Sequence, residues 1–106
     1  MATYLIGMDG LDKQIIEDNI DQFENFQKLA INGLESVYPP ITVPAWACSF
    51  SGCNPDKLEV FDFQNLDFEN LEFKPVNHQI LNKHGFWNYW NDNSVLFSIP
   101  GLDLPD

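Results

Sequence analysis

Apolar residues in this chain come in short runs separated by polar punctuation, and the spacing within each run sets the expected element. Residues 2–8 (ATYLIGM) are apolar on both faces and end at the turn pair Asp9-Gly10. Such a run predicts a buried strand of a parallel sheet. Residues 11–18 and 22–32 predict two helices. Asp21 is placed to cap the second, and Phe23, Phe26, Leu29 and Ala30 recur three and four apart as one buried stripe. Gly33 stands where a glycine ends a helix, and residues 34–37 suggest a short strand. Pro39, Pro40 and Pro44 then hold the backbone extended, and Pro44 suits the first turn of a helix running to Ser51 and stopping at Gly52. Asn54-Pro55-Asp56 reads as a turn.

Residues 62–73 repeat themselves: DFQNL, DFENL, then EF. Two units are too few for a stacked solenoid, which needs at least three. The stretch is expected to be an irregular acidic loop with its phenylalanines turned inward. Residues 77–90 predict a third helical region anchored by Ile80, Leu81, Trp87 and Trp90, and residues 94–99 (SVLFSI) predict a strand that ends at Pro100-Gly101. The tail from 101 to 106 reads as interrupted. The order of elements is α/β, with too few strands to close a fold.

Length limits the chain to one domain, because domains average about 100–200 residues and this chain has 106. Sixteen acids against five lysines give a net charge of −11. That excludes a nucleic-acid-binding face, which needs basic residues against phosphates, and docking onto anionic lipid. No apolar run reaches the roughly 20 residues of a membrane span, and the start lacks the basic region of a signal peptide. The expected compartment is the cytoplasm. Cys48 and Cys53 form no disulfide framework; on one helix they would point to different faces. The acid-rich stretch 59–72 lacks calcium-loop spacing. His78 and His84 have no evident carboxylate partner and read as surface or packing residues.

Two positions could carry chemistry. Asp9 closes the first expected strand, where ligands of open parallel sheets bind and where a carboxylate can hold a cation. Its plainer reading is a turn-forming Asp before a glycine. Thr42 precedes a helix N-terminus, where unpaired N–H groups favour phosphate and would stabilise an alkoxide. Its plainer reading is a helix N-cap. Taken singly, both residues favour the plainer reading.

Together, LIGMDG near the start and PPITVPAWACSFSGCNPDKLEVFDF in the middle resemble the N-terminal part of the alkaline phosphatase superfamily. The similarity is to the type I phosphodiesterase/nucleotide pyrophosphatase branch and its phosphohydrolase/phosphomutase relatives. It rests on Gly-x-Asp-Gly after a strand, then Asn25, Phe26, Leu29 and Gly33, then Pro-x-x-Thr-x-Pro-x-Trp, a Ser-Gly-x-x-Pro turn and a Phe-Asp-Phe. It covers nearly all of residues 3–63 and is weaker over 76–100.

The resemblance implies the incomplete N-terminal portion of an alkaline-phosphatase-like catalytic domain over residues 1–106, with a mostly parallel sheet flanked by helices. It implies two divalent metal ions of the zinc type, with Asp9 and Thr42 as ligands of one of them. Thr42 is then also the nucleophile, forming a phosphothreonine on a small phosphate mono- or diester. A sulfatase would carry Cys at the Thr42 position. The ungapped position of the asparagine that nucleotide pyrophosphatases use for phosphate is Phe63 here, which resembles the phosphohydrolase/phosphomutase relatives. Asp56-Lys57-Leu58-Glu59 replaces a glycine-containing turn of the relatives. Further Asp and His ligands of the family have no counterpart at His78 or His84. The chain alone is therefore expected to be catalytically silent, and uncovered strand edges would favour self-association. The alternatives are a phosphomutase with the same nucleophile, or a non-catalytic acidic module that binds a protein through its Phe- and Trp-rich edge.

Overall fold

The computed structural model describes residues 1–102, so the reading of the tail from residue 103 onward lies outside the described residues. The chain divides into two compact units, Met1–Glu35 and Ser36–Asp106.

In the first unit, residues 2–8 take no regular secondary structure and are exposed. The strand expected there is absent, because an extended apolar run becomes a strand only when neighbouring backbone pairs with it. Helix α1, Lys13–Asp18, forms as expected. Asp12 caps it by accepting the Gln14 N–H at 2.6 Å, and Ile16 is its buried residue. The second expected helix is replaced by two 3₁₀ turns, Ile20–Gln22 and Phe26–Lys28. Phe23 and Phe26 meet edge to face at 5.7 Å, but Leu29 and Ala30 are exposed, so the buried stripe does not form. Side-chain amides compete for the backbone here. Asn19 donates to the Ile15 carbonyl and Gln27 to the Ile20 carbonyl, and short helices without a packing face are marginal in water. No strand appears over residues 34–37.

The second unit is built on helix α2, Thr42–Ser51, ended by Gly52 in the left-handed conformation (φ 66°). Val43, Ala47 and Phe50, spaced four and three apart, line one face. With Cys48, Leu58, Val60 and Leu81 they make one buried cluster. The Asn-Pro-Asp turn tightens into helix α3, Pro55–Leu58, with Asn54 preceding Pro at its first position. Helix α4, His78–His84, is capped by Asn77, which accepts from the Gln79 and Ile80 N–H groups. The third helical region breaks at Gly85 into α4 and a 3₁₀ turn, Phe86–Tyr89. Asn88 closes that break by donating its side-chain amide to the Asn82, Lys83 and Gly85 carbonyls, of which Asn82 and Gly85 also accept the Gly85 and Asn88 N–H groups. Trp87 packs on Phe50 at 5.2 Å and donates its indole N–H to Asn82. Gly101 sits where a Cβ would lie 2.9 Å from Val43, so only glycine fits that approach.

The repeated acidic segment is not an irregular loop. It forms an antiparallel hairpin, β1 (Gln64–Asp67) with β2 (Glu72–Pro75), in the register Leu66↔Phe73 and Asp67↔Glu72. Asp67 organises its turn by accepting from the Glu69 and Asn70 N–H groups and the Asn70 amide, and it pairs with Lys74. These donors hold its carboxyl well below the usual carboxylate range, with the Lys74 bond the largest cause. Phe61, Phe63, Phe68 and Phe73 are all exposed rather than turned inward, since a lone two-stranded sheet has no layer to bury them against.

The architecture is therefore a small mixed α/β arrangement whose sheet, among the described residues, has two antiparallel strands. The expected mostly parallel sheet is not present in them. Its two outer candidates, residues 2–8 and 94–99, are irregular, with Val95 and Phe97 exposed. Parallel pairing needs a crossover that returns one strand beside the other, and among the described residues neither segment is paired in a sheet. No helix among the described residues is long and apolar enough to cross a membrane.

Candidate functional site

Asp9 lies in the first unit in the turn its sequence implies. The Leu11 N–H donates to the Met8 carbonyl at 3.5 Å, and Gly10 takes φ 70°. That positive φ is what the third position of a type II turn requires. The residue is exposed.

Thr42 lies in the second unit and opens α2. The helix begins two residues earlier than Pro44, because Ile41 already supplies the first helical acceptor: its carbonyl takes the Ala45 N–H at 2.9 Å. Ile41 is therefore the N-cap, and it has no side-chain oxygen to cap with. Thr42 occupies the first helical position instead. The reading of Thr42 as a capping residue fails on this register.

A helix start leaves four N–H groups without intrahelical partners. Here the Ile41 N–H is taken by the Pro39 carbonyl at 2.9 Å. Pro44 has no N–H at all. Two donors remain, those of Thr42 and Val43, at the positive end of a ten-residue helix. Thr42, a half-buried residue, carries its hydroxyl at this end. Val43 and Pro44, both buried, anchor the turn in the core. The threonine thus stands on a turn fixed by packing. This arrangement suits an oxyanion or phosphate group next to a hydroxyl nucleophile.

The two site residues predicted from the sequence fall in different units. Among the described residues, no three His, Cys, Asp or Glu side chains converge as a metal site would require. His78 begins α4 and is exposed; His84 ends it. Asp9 and Thr42 offer one carboxylate and one hydroxyl, whereas a zinc ion takes about three or four protein ligands. The described residues do not by themselves fit the metal pair that the resemblance implies.

Two features of α2 escaped the sequence. One is the absent side-chain cap, which the apolar residue at position 41 before Thr42 could have signalled. The other is the placement of Cys53. Gly52, already expected as the helix stop, takes Cys53 off the helix, so the two thiols do not follow the angular spacing of one continuous helix. Burial, then Cys53, then Asp56 push the Cys48 thiol up from its ordinary value.

A family model described as Type I phosphodiesterase / nucleotide pyrophosphatase matches residues 3–99. No curated protein and no solved structure matches the chain.

Proposed function

Because the chain belongs to the type I phosphodiesterase/nucleotide pyrophosphatase family, we propose that it is the N-terminal part of a phosphoester hydrolase whose nucleophile is Thr42. Family membership supports a phosphoester-hydrolase type of function acting on small phosphate esters. The observation that carries the assignment to Thr42 is the register of α2, with Ile41 at the cap and the threonine at the first helical position beside two unspent N–H donors.

In this reading the phosphoryl group sits at the start of α2. The Thr42 and Val43 N–H groups point at its non-bridging oxygens and offset the charge that develops there. Thr42 Oγ1 gives up its proton and forms a bond to phosphorus as the bond to the leaving alkoxide breaks; the alkoxide takes that proton and leaves as an alcohol, giving a phosphothreonine. Water then cleaves that ester, releases phosphate or a phosphomonoester and restores the threonine. Asp9 is proposed as a metal-binding carboxylate. The shortage of donors in the described residues supports reading the chain as part of a larger site.

The test uses the chain alone and the chain extended by its downstream coding sequence, with p-nitrophenyl phosphate and bis-p-nitrophenyl phosphate as substrates in the presence of zinc or manganese. The chain alone should show no turnover. The extended protein should turn over; Thr42→Ala should remove nearly all activity, and Thr42→Ser should keep some. Equal turnover in the wild type and the alanine variant would refute the nucleophile.

A further inference from the structure

Cys48 and Cys53 take no part in the chemistry assigned to Thr42, and both are free thiols. Their spacing would separate them on a continuous helix. Helix α2 does not continue past Ser51. Gly52 adopts φ 66° and ψ 16°, and its N–H donates to the Cys48 carbonyl at 2.9 Å. At a helix end of this kind, the residue after the left-handed glycine commonly folds back toward the residue four positions before that glycine, so that their side chains meet. Here those residues are Cys53 and Cys48.

Packing agrees with that geometry. Cys48 is 8% exposed in the core cluster, and Cys53 is half-buried and packed against the same cluster. The Cys53 backbone is held in place because its N–H donates to Ser51 Oγ at 3.1 Å. Its sulfur rests 3.7 Å from the Ser51 carbonyl. Burial raises the Cys48 thiol and shields it, so Cys53 is the more accessible sulfur.

We propose that Cys48 and Cys53 form a reversible dithiol–disulfide pair that locks the C-terminal end of α2. This goes beyond the phosphoryl-transfer reading and stands whether or not Thr42 is the nucleophile. The oxidant is a small-molecule disulfide of the glutathione type. Cys53, the more exposed, attacks one sulfur of that disulfide as a thiolate. A mixed disulfide forms, and the first small thiol leaves, carrying the proton that Cys53 lost. Cys48 then gives up its proton and attacks the Cys53 sulfur, and the second small thiol leaves with that proton. Two protein thiols are oxidised and one small disulfide is reduced to two thiols.

The experiment places the full chain in glutathione buffers running from reducing to oxidising. Samples are quenched in acid, remaining thiols are alkylated, and masses are read before and after cleavage at Phe50. Both labels should disappear together, with a bridge joining the peptides on either side of Phe50. The folded chain should close this bridge at an oxidised-to-reduced glutathione ratio at least about tenfold lower than the urea-denatured chain. In Gly52→Ala the new Cβ would meet no atom within 4 Å, so only the backbone conformation is penalised. Its advantage over the denatured chain should shrink severalfold. Cys48→Ser should stop at a mixed disulfide on Cys53, and Cys53→Ser should leave Cys48 unmodified. The proposal is overturned if the folded wild type stops at the mixed disulfide, cross-links between copies, or closes no more readily than the denatured chain.

Discussion

Met1–Glu35 and Ser36–Asp106 are both rich in apolar residues, yet they use them differently. The second unit closes Val43, Ala47, Cys48, Phe50, Leu58, Val60 and Leu81 into one buried cluster. In the first, Ile16 is the buried apolar residue among the described ones, while Tyr4, Leu5, Ile6, Leu29 and Leu34 stay exposed. The same periodicity reads as a helix in both. Among the described residues it extends to ten residues only in α2, where α3 and α4 offer faces to pack against. Over residues 22–32, without a comparable core, the pattern collapses into 3₁₀ turns.

The sharpest way to break this contrast is to remove a side chain from each unit. Leu81 is fully buried, and Leu81→Ala should cost about 3 kcal/mol of stability. Leu29→Ala, at a residue 60% exposed, should change stability by less than about 0.5 kcal/mol. Urea unfolding followed by tryptophan fluorescence and by circular dichroism measures both. Equal effects would erase the distinction.

Next in size is Gly85→Ala. The residue has an ordinary backbone (φ −64°), so alanine is penalised only by space. Its Cβ would fall 2.1 Å from the Trp87 ring. Displacing that ring from Phe50 should cost about 2 kcal/mol and weaken the near-ultraviolet tryptophan signal. An unchanged signal would mean that Trp87 does not hold the break between α4 and the turn after it.

A smaller effect is expected at the two capped helices. Asn77→Ala and Asp12→Ala each remove an N-cap acceptor, worth about 1 kcal/mol. The loss at Asn77 should appear in the cooperative transition, because α4 carries Leu81 into the core. The loss at Asp12 should appear mainly as fraying of α1, visible as faster amide exchange at Gln14.

The smallest effect concerns the hairpin, which is exposed like much of the first unit. The folded-state pKa of Asp67 is lowered. The stabilisation it lends is therefore fully present above the ordinary Asp value of about 3.9 and is lost as pH falls through the lower folded-state value. Amide shifts of Glu69 and Asn70 should titrate below the range of an unperturbed aspartate, and Asp67→Asn should abolish that titration. A midpoint in the ordinary range would remove the carboxylate from its role in the turn.

The sequence by itself determined the features that are local. The Asp9-Gly10 turn, α1, the helix ending at Gly52, and the helical region around Leu81 depend on backbone preferences, caps and one periodic face, and all were legible in order and near their limits. The motif order from residue 3 to residue 63 likewise pointed to the family later matched over 3–99. What the sequence could not determine was non-local. Whether residues 2–8 and 94–99 are strands depends on a pairing neighbour, which no local pattern supplies. Whether the phenylalanines of 61–73 face inward depends on a second layer, and among the described residues the hairpin leaves them exposed. The start of α2 was set where the Ile41 carbonyl accepts the Ala45 N–H, with Val43 and Pro44 buried in its first turn. That register placed Thr42 at the first helical position and left the cap to an isoleucine. A propensity is a property of one segment, whereas burial and pairing are properties of two, and only the tertiary structure decides which segments meet.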